Sequence, residues 1–413
     1  MGLVLELALG HLGQRKRQTL VSVAGVALGV GFFIAMMALM GGFQKYFVTQ
    51  VIDSWPHIII KDEFREPERQ PVDLRYPQGA VALAGLKPRD ELKGIRNSRE
   101  ILAALEDGPY ATAPTLRTQV FFRYGSRDIA ATLVGIDPRK EVRVTQLAQD
   151  MVEGSLDALY SNANGVIIGA GLAKKLGIGL GEMLSVTSPV GAVLKMKVVG
   201  IFNTGVTALD NFESYSLIKK AQVLANRANV INQVRIRIPD VTQARQVAQE
   251  LEGRFGYKAE SWEESYSNVL GLFKVQNGVM YSAVGAILVV AAFGIFNIIS
   301  TVINEKRRDI AILKSIGLSE ADIRAVFMIQ GLILGLIGTV AGWLLGYGLT
   351  EMLAGIRFNM EGFVRTNGFI LDRGLQPYGV AAAFALLSAI FAAWLPARKA
   401  ARLNPVDIIR GAA

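Results

Sequence analysis

The residue types that most often carry catalysis are scarce in this sequence of 413 residues. It contains only two histidines, His11 and His57, and it contains no cysteine. Thiolate nucleophiles, disulfides and cysteine-based metal sites are therefore excluded, and no HExxH zinc motif exists. The dipeptide Gly-Lys never occurs, which excludes a Walker A phosphate-binding loop. We expect this chain to hold no catalytic residue, no metal ion and no cofactor of its own.

A segment rich in charge, NEKRRDIAILKSIGLSEADI at residues 304–323, is instead suited to recognising another protein. Its first part can form about three helical turns, and Gly317 is well placed to end that helix. Ser319 and Asp322 have the spacing of a capping box that opens the next helix. The segment is either a basic loop that sets membrane topology or a helix that docks into a groove on a cytoplasmic partner. Charge alone does not separate the two interpretations.

Four stretches without a charged residue must position this segment. They span residues 18–44, 275–304, 325–350 and 374–397. Each is longer than the roughly 20 apolar residues that a helix needs to cross a bilayer, so each predicts a transmembrane helix. Because ion relays need charged side chains within the membrane, their absence from these stretches argues against an ion-coupled carrier.

The distribution of the net charge of +9 predicts the membrane topology. Basic residues are concentrated at 15–17, 306–324 and 398–410, whereas the loop at 351–373 has few of them. Short basic loops stay in the cytoplasm. We therefore expect both termini and the segment 305–324 to be cytoplasmic, with the large region 45–274 and the short loop 351–373 outside.

The two ends of the chain are expected to lie at the inner membrane surface. Residues 1–17 place Leu5, Ala8, Leu9 and Leu12 on one helical face. They form either an amphipathic helix along the membrane or a plain extension of the first membrane helix. Residues 398–413 form a cytoplasmic tail.

The region 45–274 has the pattern of a mixed α+β domain. Alternating apolar residues predict a strand at 56–63 and a hairpin formed by 116–125 and 129–137. A long loop is predicted at 66–99, which is rich in proline, glycine and charge. The fold class is therefore an integral membrane α-helical protein with four transmembrane helices, and a large α+β extracytoplasmic domain is inserted between helices 1 and 2.

Glycines spaced four residues apart are candidates for close packing between the membrane helices. They are Gly25 and Gly29 in the first helix and Gly338, Gly342 and Gly346 in the third. Small residues at this spacing let helix backbones approach closely. The alternative is that these positions reflect the general abundance of glycine in membrane helices. We favour a packing face for the run in the third helix.

The segment EKRRDIAILKSIGLSEADIRAVFMIQGLILGLIGTVAGWLLGYGL resembles the membrane-subunit signature of the MacB/FtsX-type (type VII) ABC transporter permeases. The ending WLPARKAARLNPVDIIRG is also similar to that family. In the family, the matching segment is a coupling helix that sits in a cleft of the ATPase subunit. The resemblance implies this coupling role for Glu305, Lys306, Arg307, Asp309, Ile310, Leu313, Lys314 and Gly317.

Within that superfamily the sequence most resembles the lipoprotein-releasing permeases LolC and LolE. The stretches GVALGVGFFIAMMALMGGFQKYFVTQVIDSWPHIII and GVIIGAGLAKKLGIGLGEMLSV are similar to their first helix and to their periplasmic domain. The pair Gly41 and Gly42 departs from the family, which usually has an asparagine there, and the segment 66–99 has no match that we identify.

The resemblance implies a machine in which work done by another subunit moves this chain. Two permeases, either two copies or a pair of paralogues, would bind a cytoplasmic LolD-like ABC ATPase dimer, which supplies the ATP and Mg²⁺. An acylated lipoprotein would leave the bacterial inner membrane for a periplasmic carrier or adaptor. The permease would also contact membrane lipid, and no nucleic-acid partner is expected. Candidates to line the acyl-chain site between the first and second helices are Met36, Met37, Met40, Phe47, Phe273 and Met280.

Three other functions are compatible with parts of the sequence. A MacB-like permease would export peptides or hydrophobic compounds with an adaptor protein, although MacB carries a fused ATPase. An FtsX-like regulator would transport nothing and would activate periplasmic hydrolases, but its outer domain is much smaller than 45–274. A membrane-anchored enzyme is disfavoured by the missing motifs. Neighbouring genes for an ATPase and a lipoprotein carrier would favour release over export.

Overall fold

A computed structural model describes residues 16–63, 94–357, 360–361, 365–366 and 368–404, together with the single positions 8, 10 and 75. The chain divides into two compact units. The helical unit comprises 1–46, 271–359 and 367–413, and the α+β unit comprises 47–270 and 360–366. Almost all of the predicted amphipathic helix at 1–17 and most of the predicted loop at 66–99 lie outside the described residues.

The described helices and strands are numbered along the chain. The helices are α1 (Lys16–Ser54), α2 (Ser98–Glu106), α3 (Pro138–Val144), α4 (Ala158–Ser161), α5 (Ala170–Leu176), α6 (Thr207–Phe212), α7 (Ile218–Leu224), α8 (Ala244–Phe255), α9 (Trp262–Ser265), α10 (Ser267–Glu305), α11 (Arg307–Ser315), α12 (Glu320–Ala354) and α13 (Gln376–Ala401). The strands are β1 (Ile58–Lys61), β2 (Ala111–Tyr124), β3 (Arg127–Ile136), β4 (Met151–Gly154), β5 (Gly165–Gly169), β6 (Met183–Thr187), β7 (Val193–Phe202), β8 (Glu213–Leu217), β9 (Gln233–Arg237), β10 (Lys258–Ser261), β11 (Met360–Glu361) and β12 (Arg365–Thr366).

Among the described residues, four helices are long and apolar enough to cross a membrane, namely α1, α10, α12 and α13. Both α1 and α10 contain 39 residues. At 1.5 Å per residue each is roughly 58 Å long, about twice the thickness of a bilayer core. The boundary between the two units falls inside both helices. Each of these helices therefore continues without a break from its apolar span into the α+β unit.

Glycines of α12 let two neighbouring helices approach closely. A Cβ atom built on each would lie within contact distance of an α1 side chain: Val26 for Gly338 (2.7 Å), Val30 for Gly342 (2.5 Å) and Ile34 for Gly346 (2.8 Å). On another face of α12, a Cβ atom on Gly335 would lie 2.6 Å from the Cβ atom of Ala389 in α13. These approaches leave no room for a larger residue, because real Cβ atoms do not come this close to their neighbours.

Gly25 and Gly29 of α1 lie on its side facing α10. A Cβ atom on Gly29 would lie 3.2 Å from Ile287, and one on Gly25 would lie 4.0 Å from the Cβ atom of Ala291. Side chains of all four long helices, such as Val30, Ile295 and Leu334, share one buried apolar cluster. Many apolar side chains on the outer surface of the helices are exposed, including Leu28 and Val290. This distribution is expected for helices surrounded by lipid, where the exterior is as apolar as the core.

The α+β unit is built around a sheet in the order β10-β1-β9-β2-β3-β8-β5-β7-β4. Strand β6 pairs with both β2 and β7 and thereby closes β2, β3, β8, β5, β7 and β6 into a ring. The 14-residue β2 belongs to both halves of the sheet, since its first part pairs with β9 and its last part with β6. The predicted hairpin is confirmed, because β2 and β3 pair in antiparallel register from Leu116–Gly135 to Tyr124–Arg127.

Separate apolar cores support the two halves of the sheet. Val120, Phe122 and Leu133 belong to the core of the ring, and Ile58 and Val234 belong to the core of the other half. Helices α2 and α8 cover that second core with apolar side chains. The unit therefore has enough buried apolar surface to fold as a compact body.

The stretch 240–256 of the sequence predicts a helix with Asp240 as its N-cap and Gly256 as its C-cap. The Asp240 carboxylate accepts a hydrogen bond from Thr242 N at 3.0 Å and opens a short 3₁₀ turn, Val241–Gln243, that leads into α8. Gly256 ends α8 with a φ of 70°, in the left-handed region that glycine adopts easily. The predicted C-cap is confirmed, whereas Asp240 caps the 3₁₀ turn and Gln243 is the N-cap of α8 itself.

Two carboxylates, Asp150 and Asp210, lie close together in the α+β unit. The Asp210 side chain is buried, and its Oδ1 accepts hydrogen bonds from the N and Oγ1 of Thr204, both at 2.9 Å. Burial and the nearby charge of Asp210 raise the pKa of Asp150 to about 6. Since both effects disfavour the charged form, the folded chain holds a proton on Asp150 more tightly than the unfolded chain does.

We expect Gly342→Leu to destabilise the packing of α12 on α1. The added side chain meets Val30, and overpacking of this kind costs about 1–3 kcal/mol. Gly348→Leu is the matched control, because no atom lies within 4 Å of a Cβ atom built on Gly348 in the same helix. Thermal unfolding in detergent should show a lower Tm for Gly342→Leu only. Equal Tm values for the two variants would contradict the close packing.

Asp150 should also make stability depend on pH. A carboxyl group with a folded-state pKa raised to about 6 contributes stability below its unfolded pKa, and this contribution is lost as the pH rises through about 6. We expect Asp150→Asn to reduce this loss, measured as Tm of the full chain against pH. Asp157→Asn, at the start of α4, is the control. The assignment fails if Asp150→Asn and wild type show the same dependence.

Candidate functional site

The charged segment between two long helices forms a separate short helix. Helix α10 ends at Glu305, and α11 then covers Arg307–Ser315. Gly317 adopts a φ of 112° just after α11, which ends the helix as the sequence predicted. The predicted capping box is confirmed, with Asp322 N donating to Ser319 Oγ (3.2 Å) and Ser319 N donating to Asp322 Oδ2 (3.0 Å). The α11 helix is therefore held at a defined position between α10 and α12.

One face of α11 packs against the chain itself. Ile310 is 2% exposed and Ala311 is fully buried. Leu313 is half-buried and packs on the apolar cluster of the helical unit. The side chains of Ile310 and Leu313 are thus occupied within this chain, and contact with a partner would have to use another face.

Lys314 is directed inward as well. Its Nζ donates hydrogen bonds to the carbonyl oxygens of Ala401 (2.7 Å) and Leu403 (2.9 Å), and it lies 3.5 Å from Glu320 Oε1. The two carbonyl groups belong to the end of α13 and the residues after it. A lysine at a helix C-terminus satisfies free carbonyls and interacts favourably with the helix dipole. Lys314 therefore fastens α11 to the end of α13.

The open face of α11 carries two apolar side chains among charged ones. Ile312 is 47% exposed and Ile316 is 73% exposed. The exposed charged residues of this segment are Glu305, Arg307, Arg308 and Asp309. Lys306 is half-buried and forms an ion pair of 3.0 Å with Asp309. The open face has the composition of a contact surface, with an apolar centre and a charged rim.

Because Ile310, Leu313 and Ile316 are spaced three residues apart, the sequence predicts that they form one apolar edge of this helix. In the structure Ile316 is exposed and Ile310 is buried. Residues spaced by three drift around a helix, so positions six residues apart are separated by about 120°. Positions four residues apart differ by only about 40°, which is why Ile312 and Ile316 share the open face.

The candidate acyl-chain residues are divided between the two units. In the helical unit, Met36, Met37 and Met40 are half-buried, and Met280 is buried. Phe47 belongs to the α+β unit, where it is 1% exposed. Its ring contacts that of Tyr266 edge-on, with the ring centroids 5.9 Å apart.

Polar and aromatic contacts join α1 and α10 near the ends of their apolar spans. The rings of Phe43 and Phe273 meet edge-on with centroids 6.0 Å apart. Gln44 Nε2 donates to Asn277 Oδ1 at 3.0 Å. The amide of Gln276 also contacts the sulfur of Met40. The seam between these helices is therefore closed at this level.

The unusual Gly42 of α1 is explained by packing. A Cβ atom on Gly42 would collide with the carbonyl oxygen of Ile370. Next to it, Asp372 N donates a hydrogen bond to the carbonyl oxygen of Ala38 at 2.8 Å. The segment that leads into α13 therefore passes directly over α1, and only glycine fits at the crossing.

In the α+β unit, the end of α1 is hydrogen-bonded to β9, the strand between β1 and β2 in the sheet. Arg237 Nη1 donates to the carbonyl oxygens of Asp53, at the end of α1, and Val144, at the end of α3, both at 3.3 Å. The His57 ring contacts the backbone of Ile238 through Nδ1 at 3.1 Å. These contacts join the end of α1 and the turn after it to β9, the neighbour of β1 in the sheet.

A buried ion pair lies next to this junction between the end of α1 and β9. Arg235 Nη1 donates to Glu141 Oε1 at 2.6 Å, and the two residues are 1% and 0% exposed. The Arg235 guanidinium also lies 5.9 Å from the ring centroids of Trp55 and Tyr215. Burial acts to lower the pKa of Arg235, but the charge and hydrogen bond of Glu141 together with the charges of Tyr215 and Glu213 outweigh it, and the pKa is raised. Arg235 therefore stays charged and holds Trp55, the residue that follows α1.

Sequence reasoning missed Arg235, Arg237 and Glu141. The available signal was the stretch QVRIRI, in which arginines alternate with apolar residues in a predicted strand. Buried charge is costly unless it is paired. An arginine that alternates into the core of a central strand therefore points to an ionic partner, but the sequence does not identify that partner.

Two family models match this sequence. The family model for the MacB-like periplasmic core domain matches residues 19–254, and that for the FtsX-like permease C-terminal region matches 281–405. The lipoprotein-releasing system transmembrane protein LolC of Xylella fastidiosa is 28% identical over 99% of this chain and 98% of its own length.

Two other relatives show the range of the family. The lipoprotein-releasing system transmembrane protein LolE of Haemophilus influenzae is 23% identical over 94% of this chain and 93% of its own length. The macrolide export ATP-binding/permease protein MacB of a Shewanella species is 22% identical over 98% of this chain, which spans 60% of that relative. The chain belongs to the family of ABC transporter permeases that combine a MacB-like periplasmic core domain with an FtsX-like permease C-terminal region.

Proposed function

We propose that this chain extracts lipoproteins from the outer leaflet of the bacterial inner membrane and passes them to a periplasmic carrier. The observation that carries the proposal is the continuity of α1 and α10, each running unbroken from an apolar span into the α+β unit. A continuous helix transmits displacement along its axis with little loss. The near full-length likeness to LolC supports lipoproteins as the cargo.

The energy would come from a partner ATPase dimer that binds ATP and Mg²⁺. Four crossings would place α11 and both termini in the cytoplasm and the α+β unit in the periplasm, as the distribution of basic residues indicates. Closure of the ATPase dimer would displace α11. Because Lys314 fastens α11 to the end of α13, this displacement would move the helical unit with it.

The ATPase contact is assigned to the open face of α11. Ile312 and Ile316 would enter an apolar cleft, and the surrounding charged residues, Arg307 and Arg308 among them, would set orientation. Ile310, Leu313 and Lys314 would act indirectly by holding the helix in place. This divides the coupling residues implied by the family into contacting and supporting sets.

Displacement of α1 would reach the α+β unit through the junction, that is, the contacts between the end of α1 and β9. Arg237 bonds the last carbonyls of α1 and of α3, and Arg235 holds Trp55 against the buried Glu141. Several directional bonds at one point resist rotation of α1 against the sheet. Movement of α1 would then move the sheet as a body instead of bending the connection.

The cargo site is assigned to the half-buried methionines of α1. Met36, Met37 and Met40 present flexible side chains that adapt to acyl chains of different shape. Since contacts such as Phe43–Phe273 close the seam between α1 and α10, acyl chains would enter when these contacts open. A second permease copy, or a paralogue as the two names LolC and LolE suggest, would complete the site.

Export of a hydrophobic compound is the second candidate function. It is favoured by the likeness to MacB over 98% of this chain. The two functions differ in the molecule carried and not in the mechanism that drives it. Identification of an acylated protein, or of a small hydrophobic compound, in complexes purified from native membrane would separate them.

The docking assignment predicts that the double variant Ile312→Asp/Ile316→Asp reduces co-purification of the ATPase by about tenfold or more. The reason is that hot-spot contacts are worth about 2 kcal/mol or more each. Membrane insertion should be unchanged because both side chains are exposed. Val190→Asp, at an exposed apolar position of the α+β unit, is the control. Undiminished ATPase recovery with the double variant would reject the open face as the contact.

The junction predicts that Arg237→Gln separates ATP hydrolysis from transport. The variant loses hydrogen bonds to Asp53 and Val144, so α1 should no longer carry the sheet with it. We expect the complex to assemble and hydrolyse ATP at near the wild-type rate while lipoprotein release falls by about tenfold. Arg123→Gln, which removes an exposed pair with Asp128, is the control. Wild-type release by Arg237→Gln would show that the junction carries no load.

A further inference from the structure

A groove of about 270 Å³ lies between the first turns of α1 and the last turns of α10. Its lining includes Arg17, Ser22, Gly294 and Asn297. A Cβ atom on Gly294 would lie 3.2 Å from Ser22 Oγ, so the two helices approach closely where the missing side chain shapes the groove. The established family role and the proposed transport mechanism do not use these residues.

The position of Asn297 in the membrane needs an explanation. Its side chain is exposed, and it lies about 12 Å along the helix from the end of α10 at Glu305. The surrounding span from 275 to 304 has no charge and crosses the membrane. An amide that faces hydrocarbon without a partner costs several kcal/mol, so an exposed asparagine at this depth calls for a polar ligand.

The groove changes in polarity along its length. Arg17 provides a cation in the second residue of α1 and is exposed. Ser22 and Asn297 lie deeper, with Ser22 about 8 Å from Arg17 along the helix. Gln18 and Thr301 also line the groove, and the exposed Val21 and the buried Ile298 add apolar side chains to its walls. The order is therefore a positive charge at the surface, neutral polar groups below it, and apolar side chains beside them.

We propose that a phospholipid of the leaflet at which α1 begins occupies this groove. Its phosphate contacts Arg17, its ester carbonyls accept hydrogen bonds from the Asn297 amide, and its acyl chains run along Val21 and Ile298. From the membrane surface inward, the groove presents a cation, neutral polar groups and apolar side chains. A phospholipid carries the matching groups in the same order, namely a phosphate, ester carbonyls and acyl chains. The exposed Arg17 cation in the lining of the groove selects an anionic headgroup.

A second copy of the chain fits this groove less well. A symmetric contact centred here would bring Arg17 close to the same residue of the other copy. Two like charges at the edge of a low-dielectric layer repel strongly. A lipid phosphate instead provides the opposite charge. This lipid is also distinct from the proposed cargo, which would leave from the opposite leaflet.

Lipid retention tests the site directly. The full chain is purified with its ATPase partner, incubated with equal amounts of phosphatidylglycerol and phosphatidylethanolamine, and washed with detergent before native mass spectrometry. We expect phosphatidylglycerol to be retained, and we expect Arg17→Gln and Asn297→Leu each to lower its occupancy by about fivefold. The controls are Arg402→Gln, at the exposed end of α13, and Ser282→Leu, at an exposed position of α10.

Two outcomes would overturn the proposal. Unchanged occupancy in both groove variants would remove the site, and equal retention of the two lipids would remove the selection for an anionic headgroup. A readout that does not need the variants is cross-linking of wild type with a diazirine-bearing phosphatidylglycerol. Labels within 17–22 and 294–301 are expected, and labels found only elsewhere contradict the site.

A single cysteine tests the competing occupant. The chain has no cysteine, so Asn297→Cys provides one unique thiol. We expect no disulfide-linked dimer to form under mild oxidation in membranes, because lipid separates the grooves of two neighbouring chains. Rapid formation of a disulfide-linked dimer would place a second copy at the groove and reject the lipid. Neither result depends on whether the transported cargo is a lipoprotein.

Discussion

The close packing of α1 is the constraint on which the rest of the structure depends. Three α12 glycines admit Val26, Val30 and Ile34 of α1, and two glycines of α1, Gly25 and Gly29, face α10. Lipid offers no hydrophobic drive for helices to associate, so dense contact between small residues must hold them. The same helix then leaves the apolar span and is bonded to β9 through Arg237.

Helix α11 divides its residues between support and recognition. Ile310 and Lys314 anchor it to the chain's own core and to the end of α13, while Ile312 and Ile316 stay open. A docking helix needs both properties, because a contact on a loosely held helix would move without moving the rest of the chain. In the proposed mechanism, the ATPase pushes on the exposed Ile312 and Ile316, and the contacts of Ile310 and Lys314 transmit this movement to the rest of the helical unit.

Much of the architecture followed from local patterns in the sequence. The hairpin of β2 and β3, the C-cap at Gly256, and the capping box of Ser319 and Asp322 depend on nearby residues, so short-range rules predicted them. The long apolar helices were equally visible, because length and the lack of charge identify them. The charged segment is a helix, as predicted, but the residues of its buried and open faces were predicted incorrectly. Grouping residues three apart ignored the rotation of about 60° that each such step makes around a helix.

The sequence by itself determined which segments form helices and strands, the family to which the chain belongs, and the lack of the motifs that hydrolyse ATP. These properties depend on residue type and local spacing. Only the tertiary structure decided that Lys314 bonds the end of α13, that Gly42 lies under the segment before α13, and that Arg235 pairs with Glu141. Each of these contacts joins residues far apart in the chain. Their partners are selected by how the elements pack, and no local pattern records that packing.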